Sequence, residues 1–188
     1  MTSFDYLTIL ISIVLGLAVA NVLARLAAVM SARENVDFYW PPIAWAVWLF
    51  FIVVQHWWAL WGARRTTEWT FVGFWLELLT PVLLFLLSAL VLPERADEGR
   101  LDLGEWFDHN RAWFFGILFL LPAVSIVEEP VRAGHYGSML NIAFLVAFEI
   151  VSLVALALKS RRALEWITGQ AMVMTLLYVA LLFARLPS

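Results

Sequence analysis

The chain contains no cysteine among its 188 residues. That absence excludes disulfides, thiolate metal sites, cysteine nucleophiles and covalent c-type haem attachment. Charge is also scarce, at 14% of residues, and the net charge is only −3. No lysine or arginine cluster forms a patch able to follow a phosphate backbone, so a nucleic-acid partner is not expected. The sequence has no GxGxxG, Walker loop, HExxH or serine-nucleophile elbow, which argues against soluble nucleotide chemistry and metalloprotease chemistry and leans away from an enzyme. Lipid-modifying enzymes carry less conspicuous signatures and stay open.

Apolar residues dominate what remains. They make up 63% of the chain, with a mean hydropathy of +0.86, whereas a soluble domain is about 45–50% apolar and about 25% charged. Lipid solvates such a chain and water does not. Six spans can be drawn, at 4–29, 40–62, 70–92, 110–130, 138–158 and 163–185, each near the roughly 20 residues a helix needs to cross a bilayer. The expected fold is a single all-α transmembrane domain over 1–188, a bundle of six helices and an integral membrane protein. The apolar start is too long for a cleaved signal and lacks a basic leader, so it reads as the first span. The expected location is a bacterial inner membrane; that arginine outnumbers lysine fits a GC-rich bacterial genome and is codon habit without physical weight.

An even number of spans puts both termini on one side, here side A. Side B carries Arg25, Arg33, Arg95, Arg100, Arg111, Lys159, Arg161 and Arg162, against Arg64, Arg65, Arg132 and Arg185 on side A. By the positive-inside rule side B is cytoplasmic and the termini are outside.

Span one carries Ser12, Gly16, Ala20, Ala24 and Ala28 at a spacing of four, the small-residue stripe by which helices approach closely in lipid. It serves either packing inside the monomer or a homo-oligomer seam. Arg25 reads as an interfacial anchor whose long stem reaches the surface. Trp40, Trp57, Trp58 and Trp61 mark the ends of span two as an aromatic belt, whereas Trp45 and Trp48 are deep enough to pack inside. Asp102 and Glu105 have capping-box spacing. They predict a short interfacial helix in the third-to-fourth loop, with Trp106 and Phe107 at headgroup level.

Polar residues within the spans are the functional candidates. Gln55 and His56 interrupt span two, and Glu77 lies in span three, four residues before Pro81. Proline cannot bond back to the carbonyl of Glu77, so a carboxyl and a freed backbone oxygen coincide there. At about 1.5 Å per residue, His56 and Glu77 both sit roughly 10 Å below side A. Glu128, Glu129 and His135 belong to the side-A end of the fourth-to-fifth hairpin, and Glu149 lies deeper in span five. Charged groups in a membrane are costly unless paired or hydrated, so a polar vestibule open to side A is expected.

Three readings of that vestibule follow. It serves as a small-ion or proton pathway using Gln55, His56, Glu77, Glu128, Glu129 and Glu149. Alternatively it holds a metal ion through His56, His135, Glu77 and Glu128, or b-type haem between two histidines. In the third reading the acids are structural and the protein is a scaffold or partner subunit.

Glu128-Glu129-Pro130-Val131-Arg132 is similar to the paired-glutamate-to-arginine motif of the intramembrane CAAX-type proteases. Two residues rather than three separate the second glutamate from the arginine, and the later histidine motifs are missing, so no role is carried over. The tryptophan-rich, proline-opened second span is similar to the tryptophan-rich sensory proteins, but their tryptophan–proline runs do not recur elsewhere.

Overall fold

A computed structural model describes residues 3–65, 69–94 and 100–182. Arg95 and Arg185, counted above for orientation, lie outside the described residues, as does part of the third-to-fourth loop. The chain forms α1 (Ser3–Ser31), α2 (Trp40–Leu60), α3 (Phe71–Leu90), α4 (Leu103–Ala133), α5 (Met139–Ala157) and α6 (Arg161–Leu182). All six are long and apolar enough to cross a membrane. Large apolar side chains such as Ile13, Leu17, Val72, Leu153 and Leu176 cover the outside of the bundle. Such a surface suits hydrocarbon, and it identifies the bundle as that of a polytopic membrane protein.

α3 is the most enclosed helix, packed between α1 and α4 with α2 alongside. Thr70 starts it by accepting from the Gly73 amide, satisfying one of the orphan donors of the first turn. An aromatic cluster fills the side-B half of the core. Trp45 meets Phe114 and Phe115 edge-on at 5.5 and 5.6 Å, and Phe107 meets the same two rings at 5.4 and 6.0 Å. Edge-to-face rings at these spacings attract beyond the area they bury. Around them Leu83, Leu84, Leu87, Leu103 and Leu118 leave the side-B half tightly packed.

α6 is tied to α2 by two hydroxyls. The Trp45 indole donates to Thr168 Oγ1 at 3.1 Å, and the Trp48 indole donates to Thr175 Oγ1 at 2.7 Å. Both tryptophans are thus inside, while Trp40, Trp57, Trp58 and Trp61 are exposed. At side B the first and third loops meet in a two-residue parallel bridge of β1 (Val36–Asp37) and β2 (Leu101–Asp102). Arg100 donates to both Asp37 carboxylate oxygens across it. Arg161 likewise reaches Asp108 at 2.8 Å.

Three expectations change. The segment expected to form a separate interfacial helix is the start of α4, which runs unbroken from Leu103 to Ala133. Asp102 does cap it, accepting from the Gly104 and Glu105 amides, but Phe107 turns into the aromatic core because no break intervenes. Arg25 is not a surface anchor. It is buried, donating to Asn21 Oδ1 at 3.1 Å and to the Leu92 carbonyl at the end of α3. Lastly, α1 packs inward through Ile11, Leu15, Ala18, Val22 and Val29. That leaves Gly16, Ala20 and Ala24 of the small-residue stripe exposed and Ser12 and Ala28 half-buried, so most of the stripe lies off the face that packs within the monomer.

Candidate functional site: a buried carboxyl–arginine cluster

Four ionisable residues of the side-A half, His56, Glu77, Glu128 and Arg132, come together where α2, α3 and α4 meet. Glu77 projects from α3 and is 3% exposed, Glu128 projects from α4 and is 9% exposed, and the two carboxyls are close neighbours. Arg132, one turn beyond Glu128 on the same helix, brings its Nε to 3.6 Å from Glu77 and 3.5 Å from Glu128. The i, i+4 spacing aligns Glu128 and Arg132 on one face. Glu77 reaches them because α3 and α4 pack side by side. His56 approaches from α2 within electrostatic reach of Glu128.

This cluster lines a cavity of about 200 Å³ shared with Gln55, Ser125, Glu129, Asn141 and Tyr178. A second, narrower cavity of about 100 Å³ shares Gln55, His56, Ser125 and Tyr178 with it, and reaches inward to Trp48, Thr80, Leu84 and Leu118. Beyond that level the aromatic core begins, with Trp48 and Trp45 in ring contact at 5.2 Å. The polar space therefore occupies one half of the bundle and ends against packed rings.

On the α5 and α6 side a relay of hydrogen bonds lines the wall. Tyr178 donates to Asn141 Oδ1 at 3.0 Å, and the Asn141 amide donates to Glu129 Oε2 at 3.2 Å. Gly137 permits this arrangement. A Cβ at that position would collide with the Glu129 carboxylate. The α4 helix ends at Gly134, whose φ of 73° is a left-handed conformation that favours glycine. That residue turns the chain so that Gly137 can pass close over Glu129.

Among the described residues five buried polar atoms have no hydrogen-bond partner, and apart from Trp69 Nε1 they belong to this site: His56 Nε2, Glu77 Oε2, Thr80 Oγ1 and Arg132 Nε. Each unpaired buried polar atom costs about 1–3 kcal/mol, so their gathering in one region needs a compensating ligand or solvent. A cavity of about 200 Å³ accommodates several waters at about 30 Å³ each.

Two ionised carboxylates repel, and the single guanidinium offsets only one of them. One proton, held on the carboxyl pair or on His56, makes the group neutral.

The structure unites His56, Gln55, Glu77, Glu128 and Glu129, all among the residues singled out in the sequence. It leaves out Glu149, which is half-buried on α5 and lines neither cavity, and His135, which is exposed in the α4–α5 loop with Nδ1 against the Tyr136 carbonyl at 3.1 Å. Arg132, Asn141, Tyr178, Thr80 and Ser125 belong to the site without having been marked for it. The i, i+4 spacing of Glu128 and Arg132 is the sequence signal for this arrangement, whereas Arg132 enters above only for orientation and in the glutamate–arginine resemblance.

Among the described residues no three histidine, aspartate or glutamate side chains stand together as a metal-ligand set. Neither cavity has a second histidine opposite His56, so the pairing that b-type haem requires is not formed there. Comparison with known proteins is equally spare: no family model matches the chain, and neither a curated protein nor a solved structure matches it.

Proposed function

We propose that the protein is a proton-handling membrane protein, a small-ion or proton pathway whose loading station is the Glu77–Glu128–Arg132 cluster with His56. The observation that supports this reading is two neighbouring buried carboxyls that share one guanidinium, a group one positive charge short of neutrality. A proton is the smallest charge that closes the balance, and the Tyr178–Asn141–Glu129 relay provides hydrogen-bonding groups along the approach. The station loads from side A, taken as the non-cytoplasmic face of a bacterial inner membrane by the arginine count. Passage to side B requires the Trp45–Phe114–Phe115 layer to part, so the path is gated.

Proteoliposomes enclosing a pH-sensitive dye, driven by an imposed membrane potential, test this. The wild type acidifies the lumen, and Glu77→Gln and Glu128→Gln each remove most of that flux. Flux no greater than in empty vesicles, or unchanged flux in both variants, would leave the cluster with a purely structural role.

A further inference from the structure

A second feature lies on the opposite side of α6, away from the cavity. α6 faces inward through Leu164, Thr168, Ala171 and Thr175, spaced four, three and four apart. Its outer face repeats that spacing two residues later with Trp166, Gln170, Val173 and Leu177. Trp166, Val173 and Leu177 are 76%, 59% and 52% exposed, and Gln170 is exposed with them. They line an open groove of about 900 Å³ flanked by Trp40 of α2 and Val151 of α5. Alternating steps of three and four are what one helix needs to pair with another along a seam.

Gln170 is the informative member. It lies about 14 Å along α6 from Arg161, near the middle of a hydrocarbon layer about 30 Å thick. Its amide makes no hydrogen bond with any described residue, although lipid offers it none. We propose that α6 is the interface with a second copy of this chain, the two Gln170 amides pairing across a two-fold axis along the membrane normal.

Three observations favour a second copy over any other occupant. An amide is both donor and acceptor, so it is complementary to itself. Copies inserted in one orientation carry parallel α6 helices, which bring Gln170 opposite Gln170 at equal depth and make the contact isologous. Gly169 adjoins the amide, and a Cβ placed there meets no atom within 4 Å, so nothing in the monomer obstructs close approach at that level. A single polar residue in an otherwise apolar seam also sets the register of the pair.

The lack of native cysteine makes the test direct. Single cysteines in place of Gln170, Val173, Leu153 and Gly16 are introduced into the full chain and oxidised in membranes with copper phenanthroline. Disulfide dimers are expected from Gln170→Cys and Val173→Cys, and not from Leu153→Cys on exposed α5 or Gly16→Cys on the α1 stripe. In a separate measurement, single-molecule photobleaching at decreasing protein-to-lipid ratio follows the dimer fraction. Gln170→Leu should weaken dimerisation about fivefold, and Gln170→Asn should retain most of it. Absence of cross-linking at both α6 positions, cross-linking at Gly16 alone, or a Gln170→Leu dimer as tight as wild type overturns the proposal.

Discussion

Replacing Arg132 by leucine isolates the electrostatics of the buried cluster. Among the described residues, the substitution removes the one cation within 4.0 Å of Glu77 and Glu128 while leaving the side-chain stem's packing largely in place. Breaking a fully buried ion pair by deleting one partner costs about 3–5 kcal/mol, because the remaining charge is stranded. Arg132 is not fully buried, its side chain being 24% exposed, and its contacts of 3.5 and 3.6 Å are long. Both facts reduce the loss, to about 2–3 kcal/mol. Reversible unfolding in bicelles by steric trapping measures it. The decisive comparison is the triple variant Arg132→Leu, Glu77→Gln, Glu128→Gln. With no charge to strand, it should return to within about 1 kcal/mol of wild type. If Arg132→Leu costs less than about 0.5 kcal/mol, the range of ordinary surface substitutions, or if the triple variant is no more stable than the single one, the cluster is not a charge-balanced unit.

Other outcomes follow from particular contacts. Thr175→Val deprives the Trp48 indole of its acceptor and should cost about 1–2 kcal/mol, whereas Thr80→Val removes a hydroxyl that has no partner and should be neutral or stabilising; the same unfolding assay compares them. Asp102→Ala should cost about 1 kcal/mol by uncapping α4. Hydrogen bonds from the Glu105 and Gly104 amides hold the Asp102 carboxyl below its ordinary value. Its contribution is therefore complete above the unfolded value of about 3.9 and fades as pH falls through the lower folded value. Stability measured against pH should lose that acid-side decline in Asp102→Ala and keep it in the wild type.

The six helices were legible because each is specified locally. An apolar run of crossing length has no stable alternative in lipid, and Asp102 and Thr70 or the Trp40–Pro42 entrance mark the helix starts through chemistry confined to one turn. The depth of the polar residues was legible for the same reason, since a constant rise converts residue number into height. His56 and Glu77 were thus placed at one level before any packing was known, while Glu128 was placed only at the side-A end of its hairpin. Rotation about each helix axis was not legible. The small residues of α1, Arg25, Phe107 and Glu149 each have the composition for either an inward or a lipid-facing position, and the neighbouring helices select between them. In lipid, hydrophobicity does not distinguish inside from outside, because tails and core are equally apolar; shape and the pairing of polar atoms decide. The chain by itself determined the number, length and level of the spans. Only the tertiary structure brought Arg132 to two carboxyls, left Glu149 outside the cavity and turned Gln170 to the outer surface of the bundle, because those positions depend on contacts between helices far apart in sequence.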